Sequence, residues 1–256
     1  MASDIESMMK EGRSFAPSAD FSARAHVKTL ADYEQRYRES IEQPEAFWGR
    51  MAEQHLHWFK KWDRVLEQRF GQIGQETAPY TQWFTGGRLN VSYNCLDRHL
   101  AGPRRNKAAF IWQGEKEEEK RTLTYQQLHR EVCRLANVLK KHGVKKGHTI
   151  TIFMPMVPEL PAALLACARV GAIHSVVFSA FSPDALKSRI QDCQSYMVLT
   201  ADAGYHAGKV IDLKNKIDQA LADCPTVKKV LVYNRANTTV NMTAGRGGFF
   251  FSERLC

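Results

Sequence analysis

An α/β fold, with an N-terminal helical segment followed by alternating strands and helices around a mainly parallel sheet, is what this 256-residue sequence predicts. Two observations carry the prediction. Beyond Arg104-Arg105-Asn106-Lys107, short apolar runs rich in β-branched residues alternate with amphipathic stretches, the pattern of helices laid on parallel strands. Residues 158–170 are rich in Ala and Leu and apolar almost all round, as a helix buried between layers must be. The same pattern divides the chain into a polar leader at 1–30, a helical and irregular region at 31–105, an α/β subdomain at 106–233 and an irregular tail at 234–256.

Within 30–70, Trp48, Met51, His55, Trp58, Phe59, Trp62, Val65 and Leu66 recur at three- and four-residue steps, which predicts helix with these side chains as core. Pro79 and Gly86-Gly87 break regular structure, and 93–99 opens the next ordered segment. Residues 108–112 read as a strand and 114–120 as an exposed charged turn. Thr124 followed by Gln127 is a capping box, because the hydroxyl accepts from a free helix-start amide while the Gln side chain reaches back. Leu128, Val132, Leu135, Ala136 and Leu139 then share one helical face, and Gly143 is placed to close the helix in a left-handed turn.

Strands are predicted at 148–153, 173–178, 196–201 and 229–233, and helices at 158–170, 183–192 and 209–221, the last with Val210, Leu213, Ile217, Ala220 and Leu221 inward. After Tyr233 the chain is polar and turn-prone until Phe249-Phe250-Phe251. Three consecutive aromatics call for a core, and Cys256 follows too soon to build one, so the expectation is a truncated tail and a marginally soluble chain that self-associates through an unpaired sheet edge.

A formal charge of +9 and a pI near 9.3 suit an anionic partner such as a phosphate-bearing coenzyme. No basic block with interleaved aromatics, zinc finger or helix-turn-helix accompanies the charge, which argues against nucleic acid. The cysteines at 95, 133, 167, 193, 224 and 256 form no Cys-x-x-Cys pair, so neither a metal site nor a disulfide framework is expected. Met1-Ala2-Ser3-Asp4-Ile5-Glu6 places acids where a secretory signal needs basic and then apolar residues, and the apolar stretch 155–181 is interrupted by Glu159, Arg169 and His174. Location in the cytoplasm, away from membranes, is the expectation.

Two segments offer binding chemistry. The first is Asp202-Ala203-Gly204-Tyr205-His206-Ala207-Gly208-Lys209, read as a strand-to-helix junction where glycines admit a ligand and helix-start amides with a flanking cation attract phosphate. The second is Phe178-Ser179-Ala180-Phe181-Ser182, directly after a strand, where open parallel sheets bind ligands. The plain alternatives are a helix start with incidental polar residues and, for Ile211, ordinary core. Triad chemistry finds no support, since no Gly-x-Ser-x-Gly elbow occurs and the His55/His57 and His142/His148 sets lack a nucleophile. No dinucleotide glycine fingerprint occurs within 143–178, which argues against a nicotinamide-dependent dehydrogenase.

The residues Phe47-Trp48, Trp83-Phe84-Thr85-Gly86-Gly87-Arg88-Leu89-Asn90, Asn94-Cys95-Leu96-Asp97-Arg98-His99, Leu123-Thr124-Tyr125-Gln126-Gln127-Leu128 and the stretch 154–181 together resemble the N-terminal portion of the AMP-forming acetyl-CoA synthetases, in the adenylate-forming superfamily. The resemblance implies part of the large N-terminal domain of such an enzyme, whose substrates are acetate, ATP and CoA with Mg²⁺ as cofactor. It maps His206, Ala207, Gly208 and Lys209 onto an Arg-x-Gly-Arg segment that binds CoA, Phe178, Ser179 and Ala180 onto a Phe-Gly-Gly segment at the CoA adenine, and Ile211 onto a further coenzyme contact. At both arginine positions this chain departs, and His206 with a point-charge Lys209 does not reproduce two guanidinium forks. No Ser/Thr/Gly-rich phosphate loop ending in Gly-Lys occurs, so the resemblance implies that ATP site and catalytic residues lie beyond Cys256 and that the chain alone is inactive. A non-catalytic binding or interaction module from a shortened gene, and a propionyl-CoA synthetase-like ligase, are the alternatives.

Overall fold

The computed structural model describes residues 12–70 and 79–242 and the backbone of Gly248–Phe251. The expectations for 1–11 of the leader, for 243–247 and 252–256 of the tail, for the side chains of the three phenylalanines and for Cys256 lie outside the described residues. The chain forms two compact units, one of residues 1–56 and 60–87, the other of 57–59 and 88–256.

In the first unit, helix α1 (Ala19–Arg24) starts where the Ser18 hydroxyl accepts the Phe21 amide at 3.3 Å. Helix α2 (Leu30–Glu42) carries a capping box between Thr29 and Asp32, and α3 (Pro44–His55) begins on a proline whose missing N–H would in any case lack a helical partner. Arg50 grips Glu39 with two bonds of 2.7 and 2.8 Å. The helical reading of 30–70 is corrected beyond His55: Arg64–Arg69 is strand β1, paired antiparallel with β2 (Tyr80–Thr85). The aromatic spacing that suggests helix there is satisfied across the ribbon, where Trp62 meets Phe84 edge-on at 5.1 Å. Trp48 is 44% and Phe59 58% exposed, and none of the eight residues of the stripe is fully buried, so it is not the enclosed core its spacing suggests.

The second unit is built on a parallel sheet. Helix α4 (Val91–Cys95) is capped by Asn90, whose side chain accepts the Tyr93 amide at 3.1 Å, and two short 3-10 turns follow. A hairpin of β3 (Ala108–Gln113) and β4 (Lys120–Thr124) leads through the expected Thr124/Gln127 box into α5 (Tyr125–Lys141). Then come β5 (Thr149–Phe153), α6 (Glu159–Val170), β6 (Ile173–Val176), α7 (Pro183–Asp192) and β7 (Met197–Ala201). A second hairpin, β8 (Ala203–His206) with β9 (Lys209–Asp212), precedes α8 (Leu213–Leu221), β10 (Lys229–Tyr233) and β11 (Gly248–Phe251).

Strand order is β11-β10-β7-β5-β6, with every pairing parallel. The backbone of β11 therefore lengthens the sheet on the far side of β10, so that part of the tail pairs with the sheet. Alternate side chains serve opposite faces, as strand geometry requires. Ile150, Ile152, Met197, Leu199 and Leu231 join Leu128, Val132, Leu135, Ala136 and Leu139 of α5 and the small residues of α6 in one core. Phe153, Val198, Val230 and Val232 meet Leu186 and Ile190 of α7 and Leu213 and Ile217 of α8 in the other. Gly143 closes α5 at φ +83°, where an added Cβ would also fall 2.7 Å from the Tyr196 hydroxyl.

From β5 the chain runs outward to β6, then crosses back to β7 and on to β10. The order reverses between β5 and β7. At such a point the loops leaving the carboxyl ends of neighbouring strands diverge to opposite faces and leave a crevice. Cys95, Cys133, Cys167, Cys193 and Cys224 are free thiols, and burial pushes the Cys167 thiol up to about 12. Among the described residues no helix is long and apolar enough to cross a membrane.

Candidate functional site

The crevice at the strand-order reversal is a cleft of about 770 Å³. Its floor and walls come from the carboxyl ends of the parallel strands: Pro155, Met156 and Val157 after β5, Phe178, Ser179 and Ala180 after β6, and Arg235 after β10. Gly204, Tyr205, His206 and Ile211 of the β8–β9 hairpin close one side, with Leu213 and Lys216 of α8 below them and Trp112, Gln113, Gly114 and Glu115 opposite. Gly204 is needed for this closeness, since a Cβ there would stand 3.1 Å from Pro155 Cβ.

Bonds between separate elements fix the shape. Trp112 donates its indole N–H to the Met156 carbonyl at 2.8 Å. Lys216 donates to the Ser179 carbonyl at 3.3 Å, tying α8 to the loop after β6. The Arg235 guanidinium lies over Trp112 at 5.4 Å and Tyr205 at 4.9 Å and donates to Glu119 at 2.6 Å. A cation held between two aromatic faces and a carboxylate is placed by all three.

Asp202 is the hub beneath the cleft. It is fully buried, and its carboxylate accepts the main-chain N–H groups of Ala203 and Arg235 at 2.7 Å, Ala236 at 3.1 Å and Thr238 at 2.9 Å. A buried carboxylate is tolerable only when so satisfied, and here the bonds shape the loop that carries Arg235. Nearby, burial and then the charge of Glu159 push the Tyr233 phenol up to about 12.

The two sequence-predicted segments come together in this cleft. Phe178, Ser179, Ala180, His206 and Ile211 line it, and Ile211 also packs against the sheet's second core. Ala207, Gly208 and Lys209 lie at the hairpin tip, outside the lining. The strand-to-helix reading of 202–209 is corrected, as is the helix start at Lys209. Ala207 at φ +49° and Gly208 at φ +73° make a two-residue turn, His206 pairs with Lys209 across it, and the helix begins only at Leu213, where Asp212 caps the Asn215 amide at 2.9 Å. Helix-start amides therefore do not serve phosphate at Lys209. What the tip offers instead is a turn amide flanked by His206 and Lys209.

Trp112, Glu115, Arg235 and Lys216 are cleft residues that the sequence does not single out. The one signal for Arg235 is its place two residues past the carboxyl end of β10. No group of three or more His, Cys, Asp or Glu side chains able to hold a metal ion occurs among the described residues.

The model of the AMP-binding enzyme family matches residues 96–247, more than half of the sequence and nearly all of the second unit. The chain belongs to the AMP-binding enzyme family. Residues 33–95 match the model of the acetyl-coenzyme A synthetase N-terminus. Among relatives, the acetyl-coenzyme A synthetase of Leptospira biflexa is 51% identical over 240 residues, 93% of this chain and 36% of that protein. That of Chlorobaculum tepidum is 45% identical over 241 residues, 94% of this chain and 35% of that protein. The solved acetoacetyl-CoA synthetase from Streptomyces lividans shares the fold, with a TM-score of 0.78 at 24% identity over 91% of this chain and 36% of that one. This member of the AMP-binding enzymes thus spans about a third of the length of the relatives it matches.

Proposed function

We propose that the chain is the N-terminal part of an AMP-forming acetate–CoA ligase and that its cleft receives the phosphate-bearing nucleotide end of CoA. The observation that carries this reading is the convergence of Phe178, Ser179, Ala180, His206 and Ile211 on one cleft at the strand-order reversal, with Lys209 paired to His206 on its rim. In the reaction so proposed, acetate attacks the α-phosphate of ATP to give acetyl-adenylate and pyrophosphate, and the CoA thiol then displaces AMP. None of the described residues is assigned to bond making or breaking. Their part is binding. The exposed Phe178 ring and Ile211 give an adenine apolar surface, Lys216 fixes the Ser179 carbonyl, and Lys209 and His206 face the coenzyme's 3′-phosphate. Ser179 and Ala180 replace the glycines of the related segment with small side chains that narrow the approach without closing it.

Lys209 is therefore the cation whose loss should be felt through phosphate. Lys209→Ala is expected to weaken CoA binding roughly five- to tenfold, the scale of one wet, charge-assisted bond, while barely changing the affinity for 3′-dephospho-CoA. Lys209→Arg should equal or improve on the natural residue, because a guanidinium binds phosphate through two parallel bonds. Titration calorimetry with both ligands tests this, and equal losses for the two would remove Lys209 from the site.

A further inference from the structure

The hairpin tip that faces the phosphate in this reading is already occupied by an anion of the protein itself. The Gly208 amide donates to Glu115 Oε1 at 2.9 Å, across 93 positions of sequence. Ala207 and Gly208 are both left-handed, and it is this turn that presents the Gly208 N–H on the same tip as His206 and Lys209. Glu115 arrives from a short turn closed by a 2.7 Å bond from the Gly114 amide to the Glu119 carbonyl. The same turn sends Glu119 onto Arg235 at 2.6 Å. Two carboxylates of one turn thus satisfy the amide and the guanidinium that border the cleft.

We propose that Glu115 is a resident competitor that sets the cleft's affinity and selectivity for anionic ligands. Its carboxylate holds the turn amide that a ligand phosphate would otherwise take. A carboxylate and a phosphate monoester accept the same N–H, but the phosphate carries more charge and more acceptor oxygens, so it engages the amide together with Lys209. While Glu115 remains, the incoming phosphate loses that amide and meets a like charge. Glu115 is solvent-exposed, so its side chain has room to swing aside once a strong enough anion arrives. The consequence is a selective penalty: a ligand that places a phosphate at the tip must displace the carboxylate and binds more weakly for it, while a ligand without that phosphate is unaffected. This inference rests on reading the cleft as a coenzyme site.

The test is titration of the full 256-residue chain with CoA and with 3′-dephospho-CoA at low and at 0.3 M salt, for the natural protein, Glu115→Gln, Glu115→Ala and Glu117→Gln. Glu117 belongs to the same turn but does not line the cleft. Both Glu115 variants should tighten CoA binding about three- to tenfold at low salt and less at high salt, with under a twofold change for 3′-dephospho-CoA. Glu117→Gln should stay within about twofold, since it alters only a screened surface charge. Equal tightening by Glu117→Gln would mean net charge alone and overturn the proposal. CoA binding by the natural chain that Glu115→Ala leaves unchanged or weakens overturns it while sparing the coenzyme reading. Absence of CoA binding by the natural and variant chains overturns both. Circular dichroism of each variant confirms that the fold is intact.

Discussion

Replacing Asp202 with asparagine is expected to lower the stability of the second unit by about 3 kcal/mol and to loosen the loop that carries Arg235. The carboxylate accepts on both oxygens: Oδ1 from the amides of Ala203, Arg235 and Ala236, Oδ2 from the amides of Ala236 and Thr238 and from the Thr238 hydroxyl. An asparagine keeps the shape but turns one acceptor into an N–H₂ donor facing other donors. At a fully buried position those groups find no water to replace the lost bonds. Hydrogen exchange at Ala236 and Thr238 should accelerate, and urea unfolding should shift to lower denaturant. A variant with unchanged exchange and less than about 1 kcal/mol lost would show that the loop is held by other contacts.

Phe153→Ala should cost about 3–5 kcal/mol, the usual range for removing a large buried aromatic and leaving a cavity. Phe153 ends β5 with no exposed surface, inside the core formed with α7 and α8, and its carbonyl accepts the Thr200 hydroxyl at 2.9 Å. It therefore anchors the strand end from which Pro155, Met156 and Val157 enter the cleft. Chemical denaturation measures the stability, and coenzyme affinity should fall as well because one wall loses its support. A loss under about 1.5 kcal/mol would mean that neighbouring side chains collapse into the space.

Local chemistry explains what could be read in advance. The α5 face, its Thr124/Gln127 cap and the Gly143 stop depend on residues within one or two helical turns, and each is found as spacing and capping dictate. Strands β5, β7 and β10 announce themselves as short runs dominated by apolar and β-branched residues that the sheet buries, whereas β6, with His174 and Ser175, lies at the edge and is largely exposed. The β8–β9 hairpin is different. Val210 stands three residues before Leu213, a helical step, so the apolar period runs straight through Asp212 and hides the cap. The hairpin turns instead on a pair of left-handed residues, Ala207 and Gly208, that carry no helix-breaking proline to announce it, and its tip meets Glu115 from 93 positions away.

The site was legible to a similar degree. Phe178, Ser179, Ala180, His206 and Ile211 are marked by their positions beside strand ends and by family resemblance, and they do share one cleft. Lys216 and Arg235 join it from α8 and from beyond the end of β10, while Trp112 comes from the separate β3–β4 hairpin and is tied in by its bond to the Met156 carbonyl. No local pattern encodes that meeting. In the first unit the aromatic spacing misleads for the same reason, since Trp62 finds Phe84 across a ribbon and not along a helix.

The coenzyme reading is tested most directly by following the backbone amide resonances of the isotope-labelled chain as CoA is added. Shifts should concentrate at Phe178, Ser179 and Ala180 and at residues 204–211, with Gly208 among the largest, and 3′-dephospho-CoA should spare Gly208 and Lys209. Shifts confined to other surfaces, or a spectrum that saturating CoA leaves unchanged, would contradict the assignment of this cleft to the coenzyme.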